Sequence, residues 1–224
     1  MNKLWAFGCS HVKGHELGNS GWDGWNEDLS FTGAIAKNLN LKQENRARNG
    51  VGIDYCFVKF LKLVDIIDWD KDLVIFSAPN PLRWQNDRDE DVQLSNVFKE
   101  VGPSCAKFFL ENMPSMKSLY FYHWAILNYI KLAYPKTIFI LFYPWREPLR
   151  EIFRTSRHID KSNKKLYQEY SFKYFNDLTI KDFTSGKPNE FQYPGGHYFE
   201  SKHKEFADYL TNKITSNGFY KNTF

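Results

Sequence analysis

Three short apolar runs, at residues 4–7, 73–77 and 137–142, each stop abruptly at a glycine or at prolines: Gly8, then Pro79 and Pro81, then Pro144. None of the runs alternates with polar residues, so neither face of the strand each would form is expected to meet water. Between and after them, apolar residues recur at helical spacing. Phe31, Ala34, Ile35 and Leu39 form one such row, with Ser30 placed to cap the first turn. Phe57, Phe60, Leu61, Val64 and Ile67 form a second. Leu119, Tyr122, Ile126, Leu127 and Ile130 form a third, in a helix running from about Ser115 to Pro135. His203, Phe206, Ala207, Leu210 and Ile214 form the inward stripe of a last helix from about Ser201, where His203 is expected to be a buried packing residue. Strands buried on both faces need helices on both faces, which predicts an α/β chain with a parallel sheet covered on both sides. A further strand is expected near residues 41–46. Residues 11–29, with four glycines, read as a loop, and residues 146–190 as irregular structure with one or two short helices.

At 224 residues and 42% hydrophobic content, the chain is long enough to bury its own core, and one domain over residues 1–224 is the expectation. The net charge of +4 is mild, and its lysines are interspersed with acidic residues, which argues against a nucleic-acid partner. Cys9, Cys56 and Cys105 are far apart and odd in number, as expected of reduced thiols. The N-terminus lacks the apolar segment of a signal peptide, and no run approaches membrane-spanning length. A cytoplasmic location without a membrane partner follows as the expectation, with virion association as its extension. The oligomeric state is not legible. No P-loop or dinucleotide fingerprint is present, nor the Gly-x-Ser-x-Gly elbow, since Val12 occupies its last position; no cofactor is expected.

In an open parallel sheet the functional crevice lies at the carboxyl ends of the strands. Three such ends carry polar or glycine-rich turns: Gly8-Cys9-Ser10-His11, Asn49-Gly50-Val51-Gly52 and Ser77-Ala78-Pro79-Asn80. A fourth element, Gly195-Gly196-His197, immediately precedes the last helix. Taken singly these are ordinary: a serine after a strand caps a helix, and glycines supply turns. Their ordered coincidence is what carries meaning. Together they resemble the SGNH, or GDSL-like, hydrolase family, whose four short blocks occur in this order, and the resemblance implies that family's α/β fold, a flavodoxin-like parallel sheet in three α/β/α layers.

The resemblance implies Ser10 as nucleophile, with Gly14 four residues on as in the first block. It implies Gly50 as a backbone oxyanion donor, Asn80 as a side-chain donor and His197 as the base. The departures are specific. Cys9 and Pro81 replace aspartates of the first and third blocks, and Pro194 stands three residues before His197 where the orienting aspartate belongs. Glu190 is a candidate to hold the imidazole instead. The Cys-Ser-His triplet is similar to that of divergent, phage-encoded members. The implied activity is serine esterase or acylhydrolase chemistry on a small-molecule or carbohydrate ester, an acyl or acetyl group on a sugar in particular. The aromatic content, 18% with seven tryptophans, adds Trp22, Trp25, Trp84 and Trp145 as candidates to flank a sugar, and Arg83 as a further substrate-binding residue. The alternative is a fold that has lost catalysis and serves as a carbohydrate-binding or structural module. Cys9, His11 and His15 lie within seven residues, but their spacing matches no common zinc pattern, and no metal is expected.

Overall fold

A computed structural model describes residues 2–18, 24–79, 83–85, 91–93, 116–141 and 200–216. Strand β1 (Lys3–Phe7) leads through a one-turn helix α1 (Ser10–Lys13) and helix α2 (Phe31–Asn38) to β2 (Lys42–Asn45). Helix α3 (Ile53–Leu61) and a 3₁₀ turn (Val64–Ile66) precede β3 (Leu73–Ala78), followed by the short strands β4 (Arg83–Gln85) and β5 (Asp91–Gln93). Helix α4 (Met116–Ala133), strand β6 (Ile138–Leu141) and helix α5 (Glu200–Ser216) complete the described elements. None of the described helices is long and apolar enough to cross a membrane.

The main sheet is parallel throughout, in the order β2-β1-β3-β6. From β1 the chain steps outward to β2, then returns across β1 to β3 and continues to β6. The direction of winding therefore reverses between β1 and β3, whose register pairs Phe7 with Phe76. In an open α/β sheet that reversal opens a crevice at the carboxyl ends of the two strands.

Both faces of the sheet are covered, for the reason the unalternating runs imply. Trp5, Phe7, Val74, Phe76 and Phe139 point to one side, against Ile53, Cys56 and Phe60 of α3 and Ile126, Leu127 and Ile130 of α4. Leu4, Ala6, Leu73, Ile75, Ile138 and Ile140 point to the other, against Phe31 and Ile35 of α2 and Phe206, Leu210 and Ile214 of α5. The five residues of the α5 stripe are all buried. His203 is a packing residue, as expected: its Nδ1 accepts the Phe31 N–H at 3.1 Å, and its ring stacks on Phe31. This bond joins the start of α2 to α5 and occupies a donor that the first helical turn cannot satisfy internally.

Three expectations need correction. Residues 11–29 do not begin as loop, because Ser10–Lys13 forms a helical turn. Leu61 is 37% exposed, sharing its face of α3 with the exposed Val58, and α3 ends there; the inward row is Ile53, Cys56 and Phe60. Tyr122 is 51% exposed because it lies seven residues before Tyr129, on the same outward face, while His123, Leu127 and Ile130 turn inward. The antiparallel pair β4 and β5, with Trp84 opposite Val92, had no expectation attached to it. Residues 146–190 lie outside the described residues.

Ser30 caps α2 as its position predicts. Its Oγ accepts the Gly33 N–H at 3.1 Å and donates to the Glu27 carbonyl at 2.6 Å. Ser30→Ala is expected to lower stability by about 1–2 kcal/mol, measured by urea unfolding, because both bonds are lost in a fully buried position. At the β1/β2 edge, Glu44 contacts Lys42 at 3.0 Å and Arg46 at 2.7 Å. The hydrogen bond from Lys42, opposed by partial desolvation and reinforced by the charges of Lys42, Arg46 and Lys3, holds its carboxyl below the ordinary 4.5. A depressed carboxylate binds fewer protons folded than unfolded, so its contribution is complete above about pH 4.5 and lost as pH falls through the lowered value. Glu44→Gln is expected to flatten the acid limb of a stability-against-pH curve and to leave its neutral limb unchanged in slope.

Candidate active site

The geometry around Ser10 begins with what Gly8 lacks. A Cβ at Gly8 would lie 2.6 Å from Val12 Cγ2, 3.0 Å from Ser77 Cβ and 3.1 Å from the Ser77 carbonyl oxygen. The missing side chain lets the end of β1, the helical turn α1 and the end of β3 meet at the point where the winding reverses. Cys9 is then extended (φ −101°, ψ −157°) as the N-cap, and Ser10 is the first residue of α1. Ser10 is buried, 4% exposed. As the first residue of the turn, Ser10 carries a backbone N–H that no carbonyl of that helix can reach.

The turn is closed by Gly14 in the left-handed region at φ 78°, with its N–H donating to the Ser10 carbonyl at 3.0 Å. A Cβ there would sit 2.1 Å from the Asn26 carbonyl oxygen, and the Gly14 carbonyl accepts the Asn26 N–H at 2.9 Å. Residues 24–26 are thus pressed onto the turn, an arrangement continued by the bridge between His15 and Trp25. The other end of α1 is held from β2 and α2. Asn45 Nδ2 donates to the Val12 carbonyl at 2.8 Å, and Thr32 Oγ1 reaches the same oxygen at 3.4 Å. Asn45 Oδ1 in turn accepts the Ala47 N–H at 3.0 Å, which turns the chain as it leaves β2.

Pairing with β1 continues beyond β2. Arg46 N–H donates to the Ala6 carbonyl and Arg48 N–H to the Gly8 carbonyl. This carries Asn49 and Gly50 alongside the Ser10 turn, where Asn49 Nδ2 lies 2.7 Å from His15 Nδ1. Gly50 is left-handed at φ 79°, a conformation that glycine adopts without Cβ strain. Ser77 Oγ, at the end of β3, is buried with no hydrogen-bond partner among the described residues. On the rim, Trp25 is 53% exposed, with Lys13 Nζ 5.1 Å from its ring centroid and paired to Glu27.

Of the residues singled out from sequence, Ser10, Gly50 and Trp25 fall on this one end of the sheet. Arg83 and Trp84 are described as strand β4, which lies beside α3. Trp22, Asn80, Trp145, Glu190, Pro194 and His197 lie outside the described residues. Among the described residues, no three His, Cys, Asp or Glu side chains come together as a metal ion would require. Sequence reasoning missed Asn45, His15 and Asn49 as structural parts of the site. The signal available was the run Asn45-Arg46-Ala47-Arg48-Asn49, too polar for a buried strand and placed just where a strand ends.

No protein-family model matches the sequence, and no curated protein matches it. Solved structures do. An active-site mutant of a family two carbohydrate esterase from Clostridium thermocellum superposes with a TM-score of 0.53 at 14% identity, over 98% of this chain and 65% of that one. The chain thus spans just under two-thirds of that esterase's length. A lipase/acylhydrolase from Enterococcus faecalis gives 0.51 at 15% identity, covering 97% of both chains. A lipolytic protein of the G-D-S-L family from Veillonella parvula gives 0.50 at 11% identity, over 96% of this chain and 99% of that one. The reversal between β1 and β3, the helices on both faces and these superpositions together show that the chain has the three-layer α/β/α fold of the SGNH, or GDSL-like, esterases and acylhydrolases.

Proposed function

We propose that this protein is a serine esterase of SGNH type, with Ser10 as nucleophile and His197 as general base. The observation that carries the reading is the placement of Ser10: first residue of a helical turn, at the carboxyl end of the strand where the sheet reverses, with the Gly50 loop tethered beside it. A serine hydroxyl is a weak nucleophile until a base takes its proton. His197 takes that proton as Ser10 Oγ bonds to the ester carbonyl carbon. The carbonyl π electrons move to oxygen, and the Ser10 and Gly50 N–H groups with the Asn80 amide hold the resulting charge. Collapse of this intermediate breaks the bond to the leaving oxygen, which receives the proton from His197. Water, activated by the same base, then releases the acid and regenerates Ser10.

The substrate in this reading is an acyl or acetyl ester on a carbohydrate. Trp25, half-exposed on the rim, offers a ring on which a sugar face stacks, with Trp22 and Arg83 as further substrate contacts. The names of several structural neighbours, carbohydrate esterases among them, point the same way. The test is turnover of a small aryl acetate together with labelling by a fluorophosphonate probe. A covalent adduct mapped to Ser10 is the expected result. Absence of both turnover and label would overturn the reading in favour of a carbohydrate-binding module without catalysis. Two observations support that second reading: Pro194 stands in the place of the orienting aspartate, and Ser10 is deeply covered.

A further inference from the structure

We infer that His15 is a positioning residue for the Gly50 oxyanion donor, acting through Asn49; this rests on the esterase reading above for its catalytic consequence. The contact between Asn49 Nδ2 and His15 Nδ1, at 2.7 Å, joins two nitrogens. An amide nitrogen has only hydrogens to offer, so Asn49 donates and the imidazole Nδ1 accepts through its lone pair, which places the ring proton on Nε2. The opposite end of the amide, Asn49 Oδ1, is buried with no hydrogen-bond partner among the described residues. The bond to His15 is therefore what fixes this side chain.

What it fixes is the residue next to Gly50. The backbone of this loop is already tied to β1 by the Arg48 N–H on the Gly8 carbonyl at 3.2 Å. That bond and the Arg46 N–H on the Ala6 carbonyl hold the arm entering the loop, and Val51, buried in the core, holds the arm leaving it. The Asn49 side chain supplies a further anchor between the two arms, on the segment that follows the Ser10 turn. His15 is itself anchored there, because its N–H donates to the Ser10 carbonyl at 3.1 Å and its backbone bridges to Trp25. Nucleophile and donor loop are thus braced through one imidazole: Ser10 to His15 by backbone, His15 to Asn49 by side chain, Asn49 to Gly50 by the chain itself. An oxyanion donor works through its placement at the moment charge develops, so loss of the brace acts on kcat more than on KM.

Two variants of the full chain separate this role from packing. His15→Phe keeps a planar ring and removes the acceptor. His15→Asn loses the ring but sets an amide oxygen close to where Nδ1 stood. With an aryl acetate, His15→Phe is expected to lower kcat on the order of tenfold while KM stays within about twofold. Amide hydrogen exchange over residues 46–52 is expected to quicken in the same variant. His15→Asn is expected to recover both readouts in large part. Unchanged exchange over residues 46–52 in His15→Phe overturns the proposal, as does equal impairment of the two variants, which would mark His15 as packing alone. An inactive wild-type protein in which His15→Phe still quickens exchange at the loop and His15→Asn restores it would sink the esterase reading and leave the brace standing.

Discussion

Ser10→Ala is expected to lower kcat/KM for an aryl acetate by on the order of 10⁴-fold or more, because removing the nucleophile of a serine hydrolase leaves only the residual catalysis of the oxyanion site and binding. A loss of 10⁴-fold corresponds to about 5.4 kcal/mol of transition-state stabilisation, more than the roughly 4 kcal/mol that removing a single donor in such a site costs at most. The same substitution is expected to change folding stability by no more than about 1 kcal/mol. The reason is local: the N-cap of α1 is Cys9, so Ser10 sits inside the turn and its side chain does not start the helix. Activity assays and urea unfolding on one preparation therefore give a large effect in the first and a small one in the second. A loss of activity below tenfold would remove Ser10 from the reaction. A large loss of stability would mean that the hydroxyl holds the turn together, as a serine with a purely structural role would.

Gly14→Ala is expected to show the reverse pattern of cause, with instability first and activity lost as its consequence. The backbone is left-handed at φ 78°, which costs a residue with a Cβ about 1–2 kcal/mol. The larger obstacle is the Asn26 carbonyl oxygen, 2.1 Å from where that Cβ would lie, with the Asn26 carbonyl carbon at 2.9 Å and Ser30 Cβ at 3.2 Å. Backbone cannot rotate aside as a flexible side chain does. Residues 24–26 must move outward, which breaks the Asn26 N–H bond to the Gly14 carbonyl and strains the Ser30 cap of α2. A total loss of about 3–5 kcal/mol in urea unfolding is the expected result, a large share of the stability of a domain this size. Gly14→Ala that unfolded within 1 kcal/mol of wild type would show that the segment gives way easily, and would weaken the case for a rigid Ser10 turn.

Much of the scaffold was legible because burial on two faces leaves a strong mark. Runs such as Leu73 to Phe76 carry no polar residue that could face water, and the α5 stripe repeats at helical spacing without interruption. Partial burial left weaker marks. Tyr122 and Leu61 fit a helical row in sequence, yet both turn outward, because an aromatic or leucine on a helix has the same spacing signature whichever neighbouring row the sheet selects. The helical turn at Ser10–Lys13 was invisible for a related reason. Four residues are too few for periodicity, and their helicity is imposed by contacts from Asn45, Thr32 and Asn26, all distant in sequence.

The residue types of the candidate site, and their order along the chain, belong to the sequence by itself: Ser10, Gly50, Asn80 and His197 stand in four separate short blocks. That Ser10 and Gly50 share one end of the sheet was decided only by tertiary structure. Strand pairing brings β2 beside β1, the hydrogen bonds of Arg46 and Arg48 extend that pairing past the last strand residue, and the bare Cα of Gly8 lets the turns close on one another. The role of His15 lies entirely on this second level. Nothing in a Gly-His-Glu triplet distinguishes a surface imidazole from one that braces a loop, because the distinction is made by Asn49, thirty-four residues away, arriving within 2.7 Å.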